Sequence, residues 1–139
     1  MFPTDEQYLK FVEGLDKRKL NLCTGNCGVF AFALKEVFKT GELFKVGTFS
    51  HVLLKYNDQF YDGEGIYRSI DDLYDSKWGQ YVDDDDDDDP YELEFYEPEE
   101  AYGRIKEETW AQLDKSVFIQ RIQKELIPMI AQRTLDQYI

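Results

Sequence analysis

Residues 24–41, TGNCGVFAFALKEVFKTG, set a cysteine behind a polar turn and at the head of an apolar segment, and residues 50–65, SHVLLKYNDQFYDGEG, bring the chain's single histidine. In the first stretch Phe30, Ala33, Leu34, Val37 and Phe38 recur at helical spacing, which predicts a helix over 27–39, buried on one face and stopped by Gly41. Asn26 is a favourable residue type for capping that helix, so Cys27 falls at its first position. In the second stretch and just before it, residues 43–47 and 50–56 are short and apolar or β-branched, and Asn57-Asp58 reads as the turn of a hairpin. With those two residues in the turn, Tyr56 faces Gln59, Leu53 faces Asp62 and His51 faces Glu64. Alternation then places His51, Leu53, Asp62 and Glu64 on one side of the ribbon, Asp62 diagonal to the imidazole and Glu64 directly across.

That pattern has a chemical reading. A thiol attacks as its thiolate, an anion that the unpaired N–H groups and dipole of a helix start favour. The same N–H groups can receive the oxyanion of an attacked carbonyl. A histidine within reach takes the thiol proton and later returns it to a leaving group, while a carboxylate behind the histidine fixes its tautomer. Cys27, His51 and Asp62 suit these roles in that order, with Glu64 as a spare orienting carboxylate. Taken singly, a cysteine at a helix start is usually packing and a strand histidine is usually structural. Their combination points to chemistry.

The same residues carry a resemblance. GNCGVFAFAL followed by HVLLKYNDQFYDGEG resembles the papain-like (transglutaminase-like) cysteine hydrolase superfamily, and within it small phage and bacterial proteins of the form G-N-C-x-x-F-A-x-A-L, then H-V, then D-x-x-G. The likeness covers residues 25–65. It implies an α+β fold with a papain-like core, in which a nucleophile-bearing helix packs on a small antiparallel sheet, with further helices at the N and C termini. It also implies Cys27 as nucleophile, His51 as general base and acid, and Asp62 as orienter. The superfamily's oxyanion-binding glutamine has its nearest counterpart in Asn21, six residues before Cys27 and one methylene shorter.

Elsewhere the patterns are coarser. Thr4 and Gln7 form a capping box ahead of Tyr8, Phe11, Val12 and Leu15, which predicts a helix over 4–15. Ser69 caps a short helix in SIDDLYDSKWG. Asp83 to Asp89 are seven consecutive aspartates, read as a mobile acidic loop spanning about 82–90. Trp78, Tyr81, Tyr91, Phe95, Tyr96 and Tyr102 flank it as core or cleft wall. YELEFY at 91–96 alternates like a strand. The segment from Glu108 to the end reads as one long helix, kinked or divided at Pro128, with Trp110, Leu113, Val117 and Leu126 as its inward stripe.

Composition sets the outer bounds. The 139 residues correspond to one domain, 1–139, and 42% hydrophobic with 16% aromatic residues are enough to build a core. No apolar run reaches membrane-spanning length and no leader-like segment opens the chain, so a cytoplasmic protein of a bacterium or phage-infected cell is expected. Cys23 and Cys27 are the only cysteines; Cys23 reads as structural, or else as a redox partner of Cys27. With one histidine they make three soft ligands at most, so no metal and no organic cofactor is expected. The net charge of −13 is regional, because residues 57–100 hold eighteen Asp/Glu against two Lys/Arg. Such a field disfavours nucleic acid and favours a basic protein or peptide. Two functions follow. The first is a cysteine hydrolase or acyl transferase acting on an amide, thioester or ester carbonyl. The other is an inactive acidic accessory protein that occupies and inhibits a basic protein surface.

Overall fold

The computed structural model describes residues 2–16, 19–20, 26–46, 51–77, 91–92, 98–108 and 113–137. Helix α1 (Asp5–Glu13) is opened by the capping box expected from its sequence, Thr4 Oγ1 accepting from the Gln7 N–H at 3.2 Å and Gln7 Oε1 accepting from the Thr4 N–H at 2.9 Å. It lays Tyr8, Phe11 and Val12 onto the core. Helix α2 (Cys27–Phe38) ends at Lys39, which takes the left-handed conformation (φ 55°). Gly41, also at positive φ, belongs to the turn into the next strand rather than to the helix stop.

Strands β1 (Glu42–Val46), β2 (His51–Tyr56), β3 (Gln59–Tyr61), β4 (Ile66–Tyr67) and β5 (Tyr91–Glu92) form an antiparallel sheet in the order β4-β3-β2-β1-β5. The coarse α+β class is therefore as expected. Asn57 and Asp58 both have positive φ (52° and 62°), the geometry of a two-residue turn whose twist matches the flanking strands. Tyr56 pairs with Gln59 as the two-residue turn requires. The β3 ladder stops at Tyr61, however, so the predicted pairings of Leu53 with Asp62 and of His51 with Glu64 do not form.

Both faces of the sheet are covered. Leu43, Val52, Leu54 and Tyr61 join a core shared with α1, α2 and the C-terminal helices, while Phe44, Leu53 and Phe60 meet Leu73 of α3 (Ile70–Asp75) in a second, smaller cluster. Two-sided burial is why VLL, residues 52–54, is a continuous apolar run rather than an alternating one.

Three expectations need correction. Helix α2 is buried from Cys27 through Leu34 without interruption, not along one stripe, because the sheet lies on one side of it and the C-terminal helices on the other. The C-terminal region holds two helical bodies: α4 (Pro98–Glu108), and a run of α5 (Lys115–Arg121), a π-helical turn (Ile122–Leu126) and α6 (Ile127–Gln137) that starts afresh with Asp114 capping the Ser116 N–H. The inward residues of that run are Phe118, Ile122, Leu126 and Ile130, whereas Leu113 and Val117 are only half-buried. Pro128, expected to kink or divide the helix, follows a π-helical turn that separates α5 from α6. It has no N–H to return to the Lys124 carbonyl, and the π turn just before it, with the Ile127 N–H bonded to the Ile122 carbonyl, absorbs the mismatch. Of the strand expected at 91–96 only Tyr91–Glu92 is described; residues 83–89, Trp78 and Trp110 lie outside the described residues.

Helix α4 crosses α2 at Gly28. A Cβ at that position would collide with Ile105 Cγ2 and touch Val52 Cβ at 3.4 Å, so the absent side chain is what lets α4 and β2 close on the start of α2. Gly28→Ala is therefore expected to destabilise the fold by about 1–3 kcal/mol through overpacking, outweighing the roughly 1 kcal/mol by which alanine is the better helix former. Urea denaturation measures it; an unchanged or raised midpoint would show that α4 gives way freely.

Candidate active site

Cys27 opens α2, His51 opens β2, and Asp62 is the first residue after β3. The fold brings all three together. His51 Nε2 donates to Asp62 Oδ2 at 2.7 Å, with both side chains buried, and Cys27 engages the same imidazole. With Nε2 directed at the carboxylate, Nδ1 is also buried. Burial opposes charge on the ring, but the Asp62 hydrogen bond and then Cys27 outweigh it and lift His51 to about 9.

The carboxylate is held as firmly as the ring. Asp62 Oδ1 accepts from the Glu64 N–H at 2.8 Å and the Gly65 N–H at 3.0 Å, and the Asp62 N–H donates to the Gly65 carbonyl at 3.1 Å. Gly65 closes this turn at φ +152°, a conformation that favours glycine. From α1, the buried Tyr8 hydroxyl donates to the Asp62 carbonyl at 2.6 Å. Glu64, the other candidate orienter, pairs its carboxylate with Lys77 at 2.7 Å and donates its backbone N–H to Asp62 Oδ1.

Asn26 also departs from its expected role. It stands at the cap position, where its carbonyl accepts from the Phe30 N–H, but its side chain makes no cap bond. Instead Nδ2 donates to the Leu20 carbonyl at 2.7 Å and Oδ1 accepts from the Leu113 N–H at 3.1 Å. This buried amide ties the segment before α2 and the start of the C-terminal helical run to the residue adjoining the thiol. Neither this clasp nor the Tyr8 bond was visible in local sequence pattern, because each joins positions beyond the reach of a single helical or strand repeat. Asn21 and Cys23 lie outside the described residues.

Residues 11–77 match the family model described as Phage YunG-like protein. The matched span is just under half of the chain and contains Cys27, His51 and Asp62. No curated protein and no solved structure matches the chain.

Cys27 is 3% exposed and His51 and Asp62 are buried with it; two grooves among the described residues, one beside the Asn57-Asp58 turn and one between α1 and Arg68, are lined by other residues. Among the described residues no group of three or more His, Cys, Asp and Glu is arranged to hold a metal ion, and no helix is long and apolar enough to cross a membrane.

Two outcomes are expected. Because the folded His51 binds its proton up to about pH 9 while an unfolded histidine releases it near 6.5, the ring's contribution to stability is complete below about pH 6.5 and is lost as pH rises through 9. Unfolding free energies measured from pH 6 to 9.5 should fall by on the order of 3 kcal/mol more in the wild type than in His51→Gln; parallel curves would mean that the ring is not held protonated. Asn26→Ala, which leaves the Leu20 carbonyl and the Leu113 N–H without this partner, should cost about 1–3 kcal/mol in the same assay, and a change within error would show that water replaces the amide.

Proposed function

We propose that the protein is a papain-like cysteine hydrolase or acyl transferase acting on an amide, thioester or ester carbonyl. The observation that carries this reading is one buried imidazole bonded to Asp62 at 2.7 Å, with Cys27 at the head of α2 favouring the charged form of the same ring. A helix that opens on the thiol and packs against an antiparallel sheet supports the papain-like core.

In the proposed reaction the Cys27 sulfur, its proton held by His51, attacks the carbonyl carbon and forms a C–S bond. The oxyanion is received by the Cys27 backbone N–H, with the Asn21 amide as an auxiliary donor. His51 then protonates the leaving amine, alcohol or thiol as its bond to carbon breaks. Water or an amine, deprotonated by the ring, attacks the resulting thioester and returns the sulfur. Asp62 keeps the imidazole in the required orientation throughout. The mechanism uses no metal or organic cofactor. The acidic span 57–100 favours a basic protein or peptide substrate.

The burial of Cys27 supports a second reading, an accessory protein that keeps a hydrolase frame and acts by binding a basic protein surface through its acidic span. Iodoacetamide separates the two. A working nucleophile is alkylated at Cys27 near pH 7, and His51→Ala slows that reaction by roughly tenfold or more. A thiol that reacts at the same slow rate in both proteins, together with polylysine binding that survives Cys27→Ala but is lost when Asp83 to Asp89 become asparagine, would establish the binding role.

A further inference from the structure

We propose that Tyr8 is a positioning residue for the Asp62–His51 pair: from α1, its phenol holds the loop that aims the carboxylate at the ring. This role rests on His51 being the base that acts on Cys27.

The bonds that shape the loop are local. Asp62 Oδ1 takes the N–H groups of Glu64 and Gly65, and the Asp62 N–H reaches the Gly65 carbonyl, all within three residues. Such bonds set the form of the turn without tying it to the rest of the molecule. Tyr8 supplies a tie of that kind. It lies 54 residues earlier in the chain, is fully buried, and donates to the Asp62 carbonyl at 2.6 Å. Its ring stands edge-on to Tyr61, with centroids 5.0 Å apart and planes at 80°, so the residue just before Asp62 is braced as well. Burial, and next the nearby Asp62 charge, hold the phenol proton well above the ordinary tyrosine range, and Tyr8 therefore remains a neutral donor while the ring titrates. The ionisable groups acting on His51 are Asp62 from this loop and Cys27 from α2. Removing the hydroxyl frees the Asp62 main chain to shift, which lengthens the carboxylate–imidazole bond and lets burial push the ring toward its neutral form.

The chain has a single histidine, so the imidazole carbon-bound protons in an NMR titration report on His51 alone. The wild-type ring is expected to titrate near pH 9. Tyr8→Phe keeps the aromatic ring and should lower that midpoint by about half a pH unit or more, and slow iodoacetamide alkylation of Cys27 at pH 7 by roughly threefold. Phe11→Leu, a core change on the same helix, should lower the melting temperature and leave the midpoint in place. If Tyr8→Phe moves the midpoint no more than Phe11→Leu does, Tyr8 is only a packing residue and the proposal is overturned while the base remains. A wild-type ring that titrates near 6.5, with alkylation insensitive to His51→Ala, would remove the base itself and this role with it.

Discussion

An imidazole and a carboxylate taken out of water together are the constraint around which this molecule is arranged. Desolvating each ion costs several kcal/mol, and their attraction repays that only when every remaining polar atom is also bonded. The surroundings of Asp62 meet this demand: two loop N–H groups on one oxygen, the ring on the other, a phenol on the carbonyl. The tight turn after β3, the glycine that closes it and the approach of α1 all serve that one pair. Removing either ion alone would leave its partner buried and uncompensated, which is the costlier defect.

The same dryness bears on chemistry in two ways. Electrostatic interactions strengthen where water is excluded, so a sulfur beside a protonated ring gains more from it than it would at the surface. Exclusion of water also means exclusion of other molecules, and a thiol 3% exposed must gain an approach before any reagent can reach it. Reactivity and access are thus separate properties of this site, set by different parts of the chain.

Much of the site was legible because it is built from local pattern. The capping box at Thr4 and Gln7, the Asn57-Asp58 turn and the apolar run of β2 are short-range signals, and the hairpin they define brings His51 and Asp62 into contact despite a ladder shorter than the pattern suggested. What escaped was tertiary. The stripe Phe30, Ala33, Leu34, Val37 and Phe38 was the visible part of α2; Val29, Ala31 and Phe32 off that stripe are equally apolar and equally buried, Phe32 against Tyr102 of α4, while Phe30 meets Phe118 of α5. Pro128 suggested a kink or a division, but not its form, a wider turn placed just ahead of the proline. The side chain of Asn26 had two plausible employments, cap or clasp, and only the positions of Leu20 and Leu113 decide between them. Glu64 paired with Lys77 because the chain turns away after Tyr61, which no alternation rule anticipates.

The seat of the sulfur at the head of a helix buried over its first eight residues has a dynamic corollary. Segments that open easily are those with few buried apolar neighbours, and the first eight residues of α2 are the reverse case. Fraying at Cys27 would require the sheet and the C-terminal helices to part together, so the backbone there belongs to the last unit of the protein to open. Amide protons from the interior of that helix should therefore exchange with solvent slowly, and the sulfur rides on a backbone that moves little.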